Sequence, residues 1–295
     1  MNPTLRKLAV SPLMPLLRTA ARSYVAGPEL DDAVAVARSL AAGGAASTIC
    51  FWDGPEDAPR KVAERYLDAL RAIPPAGLNS YVSIKVPSLA FDAGLLEEVA
   101  AEARALNVRV HFDSLGPEAA GRTFDFIEDL VHLPTNLSCT IPGRWRRSVE
   151  DADRAVRLGI GVRVVKGQWE DAEKNGNGLD PRRGFLDVID ALAGRARHVA
   201  VATHNPELAF EAIGRLQAAG TPCELELLYG LPSSAALEVG RRLGTPVRFY
   251  IPYGHAWLPY GIRQATRNPR ILWWMLRDAW ASGARRRPAT AIARS

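Results

Sequence analysis

Three cysteines in 295 residues, Cys50, Cys139 and Cys223, are too few and too widely spaced for a disulfide framework, and none stands in the close pairs of a zinc site. A reducing, cytoplasmic setting is the expectation. The five histidines show no i, i+4 pairing and no carboxylate at metal-ligand spacing, so no metal centre is expected. Long apolar runs are missing too. The longest stretch free of charge and proline, Leu40 to Trp52, is about a dozen residues against the roughly 20 that span a bilayer. A glycine-rich turn after the first strand is also lacking, which argues against an open dinucleotide-binding sheet; Gly159-Ile160-Gly161 precedes a strand instead of following one. What is present, 47% hydrophobic and 23% charged residues, is the composition of a folded chain and excludes disorder and coiled coil.

The net charge of +5 gathers at the ends. The first 28 residues carry Arg6, Lys7, Arg18 and Arg22 among leucines and no acidic residue, while Arg285, Arg286, Arg287 and Arg294 close the chain. The N-terminal stretch reads as a solvated cap or as a basic amphipathic segment suited to peripheral contact with an anionic membrane. Arg144-Trp145-Arg146-Arg147 interleaves basic and aromatic residues, but one such cluster is no nucleic-acid interface, and none is expected.

Eight short β-branched, apolar segments recur along the chain: Ala45 to Phe51, Tyr81 to Val86, Val108 to Phe112, Leu137 to Thr140, Gly161 to Val165, Val199 to Thr203, Glu224 to Leu228 and Val247 to Ile251. Between them lie stretches of helical spacing, 59–73, 93–106, 117–132, 149–158, 184–196, 206–219 and 232–243. Eight strand–helix units in about 250 residues predict an α/β fold, a (β/α)8 TIM-type barrel. The expected organisation is an N-terminal helical extension over 1–43, a barrel over 44–281 that includes a long final helix from Tyr260 to Ala281, and a basic tail over 282–295.

In such a barrel chemistry belongs at the C-terminal ends of the strands. There the sequence supplies Asp53, Lys85, Asp113, Thr140, Lys166, Thr203-His204-Asn205, Leu228-Tyr229 and Tyr250. Lysines, aspartates, a histidine and a tyrosine at one mouth describe a cationic pocket with its own counter-charges, suited to an anionic ligand or a phosphate-bearing cofactor.

Val162-Arg163-Val164-Val165-Lys166-Gly167-Gln168-Trp169, Ala202-Thr203-His204-Asn205-Pro206, Leu228-Tyr229-Gly230 and Tyr250-Ile251-Pro252-Tyr253-Gly254 resemble the proline dehydrogenase family, monofunctional type, with the motifs in family order on strands five to eight. The resemblance implies a distorted (β/α)8 barrel that binds FAD. It implies that Arg163, Lys166, Gly167, Gln168, Thr203, His204 and Asn205 line the flavin site, with Trp169 beside them. Lys85, Asp113, Leu228, Tyr250 and Arg263, with Gln264 next to it, would face the substrate. The implied reaction oxidises L-proline to 1-pyrroline-5-carboxylate, with a lipid quinone as final acceptor. Alternatives are another cyclic amino acid, such as hydroxyproline, or a non-catalytic barrel that serves as a binding protein. Three positions depart from the family pattern: Gln264 stands where a second arginine is usual, Trp169 replaces a tyrosine, and Ser138 to Gly143 lacks a glutamine that touches the flavin.

Overall fold

The computed structural model describes residues 25–132, 136–167 and 180–254. Within them eight parallel strands close into one barrel in sequence order, β1 pairing with both β2 and β8. The strands are β1 (Ala46–Phe51), β2 (Ser80–Ile84), β3 (Val110–Phe112), β4 (Leu137–Pro142), β5 (Gly161–Val165), β6 (Val199–Ala202), β7 (Cys223–Leu228) and β8 (Val247–Tyr253). Helix α1 (Leu30–Ala42) precedes β1. The connecting helices are α2 (Pro59–Ala72), α3 (Ala93–Ala105), α4 (Pro117–Val131), α5 (Ser148–Arg157), α6 (Pro181–Leu192), α7 (Pro206–Ala218) and α8 (Ser234–Arg242). The expected fold class is therefore the one found. Helix α1 lies within the expected N-terminal extension, whereas the final helix from Tyr260 and the basic tail lie outside the described residues.

Local chemistry explains where the elements begin. Proline opens α2, α4, α6 and α7, where its missing N–H costs nothing. Asp92, Asp180 and Asn205 cap α3, α6 and α7 by accepting from a backbone N–H of the first turn. Several boundaries differ from expectation by one to four residues, and two of them have a plain local cause. Helix α6 starts at Pro181, three residues before Gly184, because Asp180 and Pro181 supply cap and first turn. Strand β2 ends at Ile84 and not Val86, since Val86–Leu89 turns into a 3₁₀ helix.

The apolar core is the shell between sheet and helices. Ile49, Val82, Val110, Val164, Val201, Leu225, Leu227 and Ile251 meet Val62, Leu70, Leu96, Ile127, Ile189 and Leu216 there, all buried. Side chains alternate along a strand, so the neighbouring positions face the barrel axis. Those positions are polar: Thr48, Tyr81, His111, Ser138, Thr140, Arg163, Glu224, Glu226, Arg248 and Tyr250. Barrel interiors are ordinarily packed with branched apolar residues. Here bonds between non-adjacent strands cross the interior instead, with Thr48 Oγ1 donating to Glu226 Oε1 at 2.9 Å and Arg163 Nη1 to Asp113 Oδ1 at 2.9 Å. Burying so many charges is tolerable only because each is paired.

Candidate active site

Arg163 is the hub. Its register partner on β6 is Ala200, a small residue that leaves the guanidinium room to reach across to β7. There Nε and Nη2 donate to the two oxygens of Glu226 at 2.8 and 2.7 Å, the paired geometry that suits a guanidinium best. Nη1 donates to Asp113, and the guanidinium carbon lies 4.9 Å from the centre of the Tyr250 ring. Burial works against the charge on Arg163, yet Glu226, Tyr81 and Asp113 outweigh it and hold the guanidinium protonated.

Asp113, just past β3, collects three close donors. Arg163 Nη1 and Thr140 Oγ1, at 3.2 Å, donate to Oδ1, and the Tyr250 hydroxyl donates to Oδ2 at 2.7 Å. A carboxylate so occupied is fixed in orientation by donors from three different strands. Burial, with Asp113 beside it, raises the Tyr250 phenol far above its ordinary range, so it stays a donor.

Lys85 follows β2. Its ammonium donates to the Phe51 carbonyl at 2.7 Å and to Asp53 Oδ1 at 3.1 Å, while its backbone N–H is tied to the buried Tyr66 hydroxyl at 3.1 Å. Burial pulls its protonation downward, but the anionic groups around it, which at neutral pH are the Asp53 and Asp113 carboxylates, outweigh burial, and the charge persists. Burial pushes the nearby Cys50 thiol up to about 11, so it is not a thiolate at neutral pH.

On the β5–β7 side, Lys166 is exposed just beyond the end of β5. Arg163 and Lys166, three apart, thus avoid the opposite-face problem of a pleated strand, because Lys166 has already left it. Gly167 follows with φ +83°, and a Cβ there would meet Pro142 at 2.7 Å, so glycine is required. The side chains of the Thr203-His204-Asn205 motif are partly committed to the backbone. Thr203 accepts from the Asn205 N–H, and Asn205 caps α7. His204 Nδ1 donates to the Pro232 carbonyl at 3.0 Å, and Nε2 accepts from the Leu228 N–H at 2.9 Å. One neutral imidazole therefore fixes the end of β7 where Leu228 stands.

The structure bonds Asp113 to Tyr250 and places Lys85, bonded to Asp53, at the same end of the barrel, with Leu228 at the strand end neighbouring Tyr250. Lys166, Gly167, Thr203, His204 and Asn205 lie at the ends of β5 and β6. Gln168, Trp169, Arg263 and Gln264 lie outside the described residues. Sequence reasoning passed over Glu226, Thr48 and His111 as site-forming groups. A signal existed in β7: Glu224 and Glu226 alternate with leucines on a strand whose inner face has no access to solvent, so each demands a buried cation, and Arg248 and Arg163 answer. Lys85 and Arg163 meet counter-charges here, Asp53 for the first and Asp113 and Glu226 for the second. Among the described residues no three histidine, cysteine, aspartate or glutamate side chains gather as a metal site, and no helix is long and apolar enough to cross a membrane.

No protein-family model matches the chain. Curated relatives do. Proline dehydrogenase 1 of Bacillus subtilis is 27% identical over 270 residues, which is 85% of this chain and 88% of the relative. The proline dehydrogenase of Deinococcus radiodurans is 24% identical over 273 residues, 85% and 86% of the two chains. Among solved structures, proline utilization A from Bdellovibrio bacteriovorus, inactivated by N-propargylglycine, superposes with a TM-score of 0.73 at 17% identity. It is matched over 87% of this chain and 33% of its own length, so this chain spans about a third of it. Proline utilization A from Corynebacterium freiburgense gives 0.67 at 18% identity, covering 92% and 35%. Those structural likenesses speak to fold alone. Taken with the ordered motifs on β5 to β8, the chain resembles the proline dehydrogenase family over 85% of its length, and does so on a closed eight-stranded barrel.

Proposed function

We propose that the protein is a flavin-dependent proline dehydrogenase that oxidises L-proline to 1-pyrroline-5-carboxylate. The observation that carries this reading is the bonded Asp113–Tyr250 pair, with Lys85 bonded to Asp53 just past β2, at the C-terminal mouth of a barrel whose sequence is similar to proline dehydrogenases. The donor set at the ends of β5 and β6 suits a flavin dinucleotide. Lys166 offers an exposed ammonium, Gly167 admits close approach of backbone, and the capped N-terminus of α7 opens toward anionic groups. Arg163, Lys166, Gly167, Gln168, Trp169, Thr203, His204 and Asn205 are the residues assigned to it. When bound, FAD supplies the two-electron acceptor for the hydride.

The protein's own part is placement and charge. Lys85, held rigid by Asp53 and the Phe51 carbonyl, attracts the substrate carboxylate, and Arg263 supplies the second charge of the clamp. Asp113 faces the ring nitrogen as an anion oriented by Arg163, Thr140 and Tyr250, and Leu228 and Tyr250 wall off water. Holding the reacting carbon in a near-attack position is where a preformed site gains most of its rate. Gln264 in place of a second arginine specifically favours a second reading, in which a related ring such as hydroxyproline is accepted.

For electron disposal the reading is a lipid quinone, reached through peripheral contact of the leucine- and arginine-rich N-terminal residues with the membrane. Anaerobic addition of proline to the flavin-loaded protein tests the core of the proposal. Bleaching of the flavin band by proline is expected, and a protein that cannot be loaded with FAD, or whose flavin ignores proline and hydroxyproline alike, refutes it. Deleting residues 1–24 should weaken sedimentation with anionic vesicles while leaving turnover with a soluble dye intact; unchanged sedimentation would remove the membrane part.

A further inference from the structure

His111 lies on β3 two residues before Asp113, so both point into the barrel. It is 1% exposed, at a depth where an apolar filler is ordinary. Both ring nitrogens are engaged: Nδ1 is 2.8 Å from Ser138 Oγ and Nε2 is 2.7 Å from Thr140 Oγ1. We propose that His111 is a positioning residue for the site, acting through the Thr140 hydroxyl to hold the Asp113 carboxylate in the orientation that receives Arg163 and Tyr250; this rests on the reading that Asp113 faces the substrate.

Counting hydrogens fixes the direction of the chain. Thr140 has one hydroxyl hydrogen and two competing takers, the Asp113 carboxylate and His111 Nε2. The carboxylate is the stronger acceptor, and Arg163 Nη1, 3.4 Å from Thr140 Oγ1, also presents its hydrogens to that oxygen. Thr140 therefore donates to Asp113 and accepts from His111 Nε2–H, which leaves Nδ1 to accept from Ser138. A protonated imidazole would add a second buried cation beside Arg163. Burial, reinforced by Arg163, Arg109 and Arg248, keeps the ring neutral. The groups facing it are Tyr81 from β2, with ring centres 5.7 Å apart, Ser138 and Thr140 from β4, Arg163 from β5, and Asp113 from its own strand at 4.0 Å. A histidine kept only to fill space would need any two partners; this one ends its chain on the anion of the site.

Two substitutions separate positioning from filling. Gln places an N–H where Nε2–H stands, whereas Asn puts its amide at Nδ1 and stops short of Thr140. In the holoenzyme with a soluble dye acceptor, His111→Asn should lose about three- to tenfold in kcat/KM for proline, the scale of one hydrogen bond between neutral groups, and His111→Gln should recover most of it. Thr140→Val should show a similar loss, and adding His111→Asn to it should cost little more, because both break one chain. Equal losses in Asn and Gln variants, multiplying losses in the double variant, or a Thr140→Val enzyme within twofold of wild type would each overturn the assignment. The last holds even if His111→Asn fails to fold. Nitrogen-15 spectra of the imidazole supply a readout that needs no turnover: a neutral Nε2–H ring is expected in the wild type, its signals moved in Thr140→Val. A neutral Nδ1–H ring, or one indifferent to Thr140→Val, would sink the proposal. A protein with the expected spectra that leaves proline untouched would fail the functional reading alone.

Discussion

A single buried side chain can be structural and functional at once, and Arg163 is the case in point. It occupies both oxygens of Glu226 and one of Asp113, so Arg163→Met strands two carboxylates inside the barrel. Breaking a buried pair by removing one partner costs about 3–5 kcal/mol, and urea unfolding should show a loss of that order. Lys166, exposed, carries no such burden: Lys166→Met should leave stability within about 0.5 kcal/mol while lowering flavin content in the purified protein. Lys85→Met should act mainly on the Michaelis constant, raising it about tenfold or more, since a carboxylate is charged alike in ground and transition states. Steady-state kinetics with a soluble acceptor decide that point; a fall in kcat alone would move Lys85 from substrate clamp to another role.

At the scale of elements, α6 approaches the chain just past β4 so closely that glycine is needed on both sides. A Cβ on Gly184 would stand 1.9 Å from the Gly143 carbonyl oxygen, and one on Gly143 would meet the Phe185 N at 2.4 Å. Gly184→Ala should therefore destabilise by about 1–3 kcal/mol in thermal or chemical unfolding, through overpacking against backbone that cannot rotate away. Most element positions were legible beforehand because parallel strands buried on both faces declare themselves as apolar runs and proline marks helix starts. The α6 boundary was missed by three residues although Asp180-Pro181 is the same cap-and-proline signal as Asn205-Pro206. The interior was less legible. The rule that barrels fill with branched apolar side chains hides Thr48, His111 and Glu226, and only the period-two spacing of Glu224 and Glu226 hints at an ionic axis. Lys85, Asp113 and Tyr250 were readable from position alone, being polar residues toward strand ends, as were Asp53 and Thr140; which of them bond to one another, across strands far apart in sequence, was not.

For the whole molecule, a neutral buried histidine makes stability depend on pH. His111 holds its folded-state value well below the ordinary 6.5, so between those two values the unfolded chain binds a proton that the folded one refuses. Stability then falls as pH drops below about 6.5, by up to about 1.4 kcal/mol per pH unit for that one group, until the folded-state value is reached. Melting temperature measured from pH 7.5 down to 5 should decline, and less steeply in His111→Gln; identical slopes would count against a neutral His111. The closure of the barrel carries a different consequence. The Ala26 N–H donates to the Pro252 carbonyl at 2.9 Å, and the Gly254 N–H to the Gly27 carbonyl at 3.0 Å, so the described chain enters and leaves at one point on the rim beside β8. Two tethers thus share a single anchor at the open end of the barrel. Arg263, nine residues past Gly254, is bound by chain length to within about 32 Å of that anchor. Were the first 24 residues held at a membrane as proposed above, the mouth of the barrel would be drawn toward that membrane, because residue 25 stands at its rim.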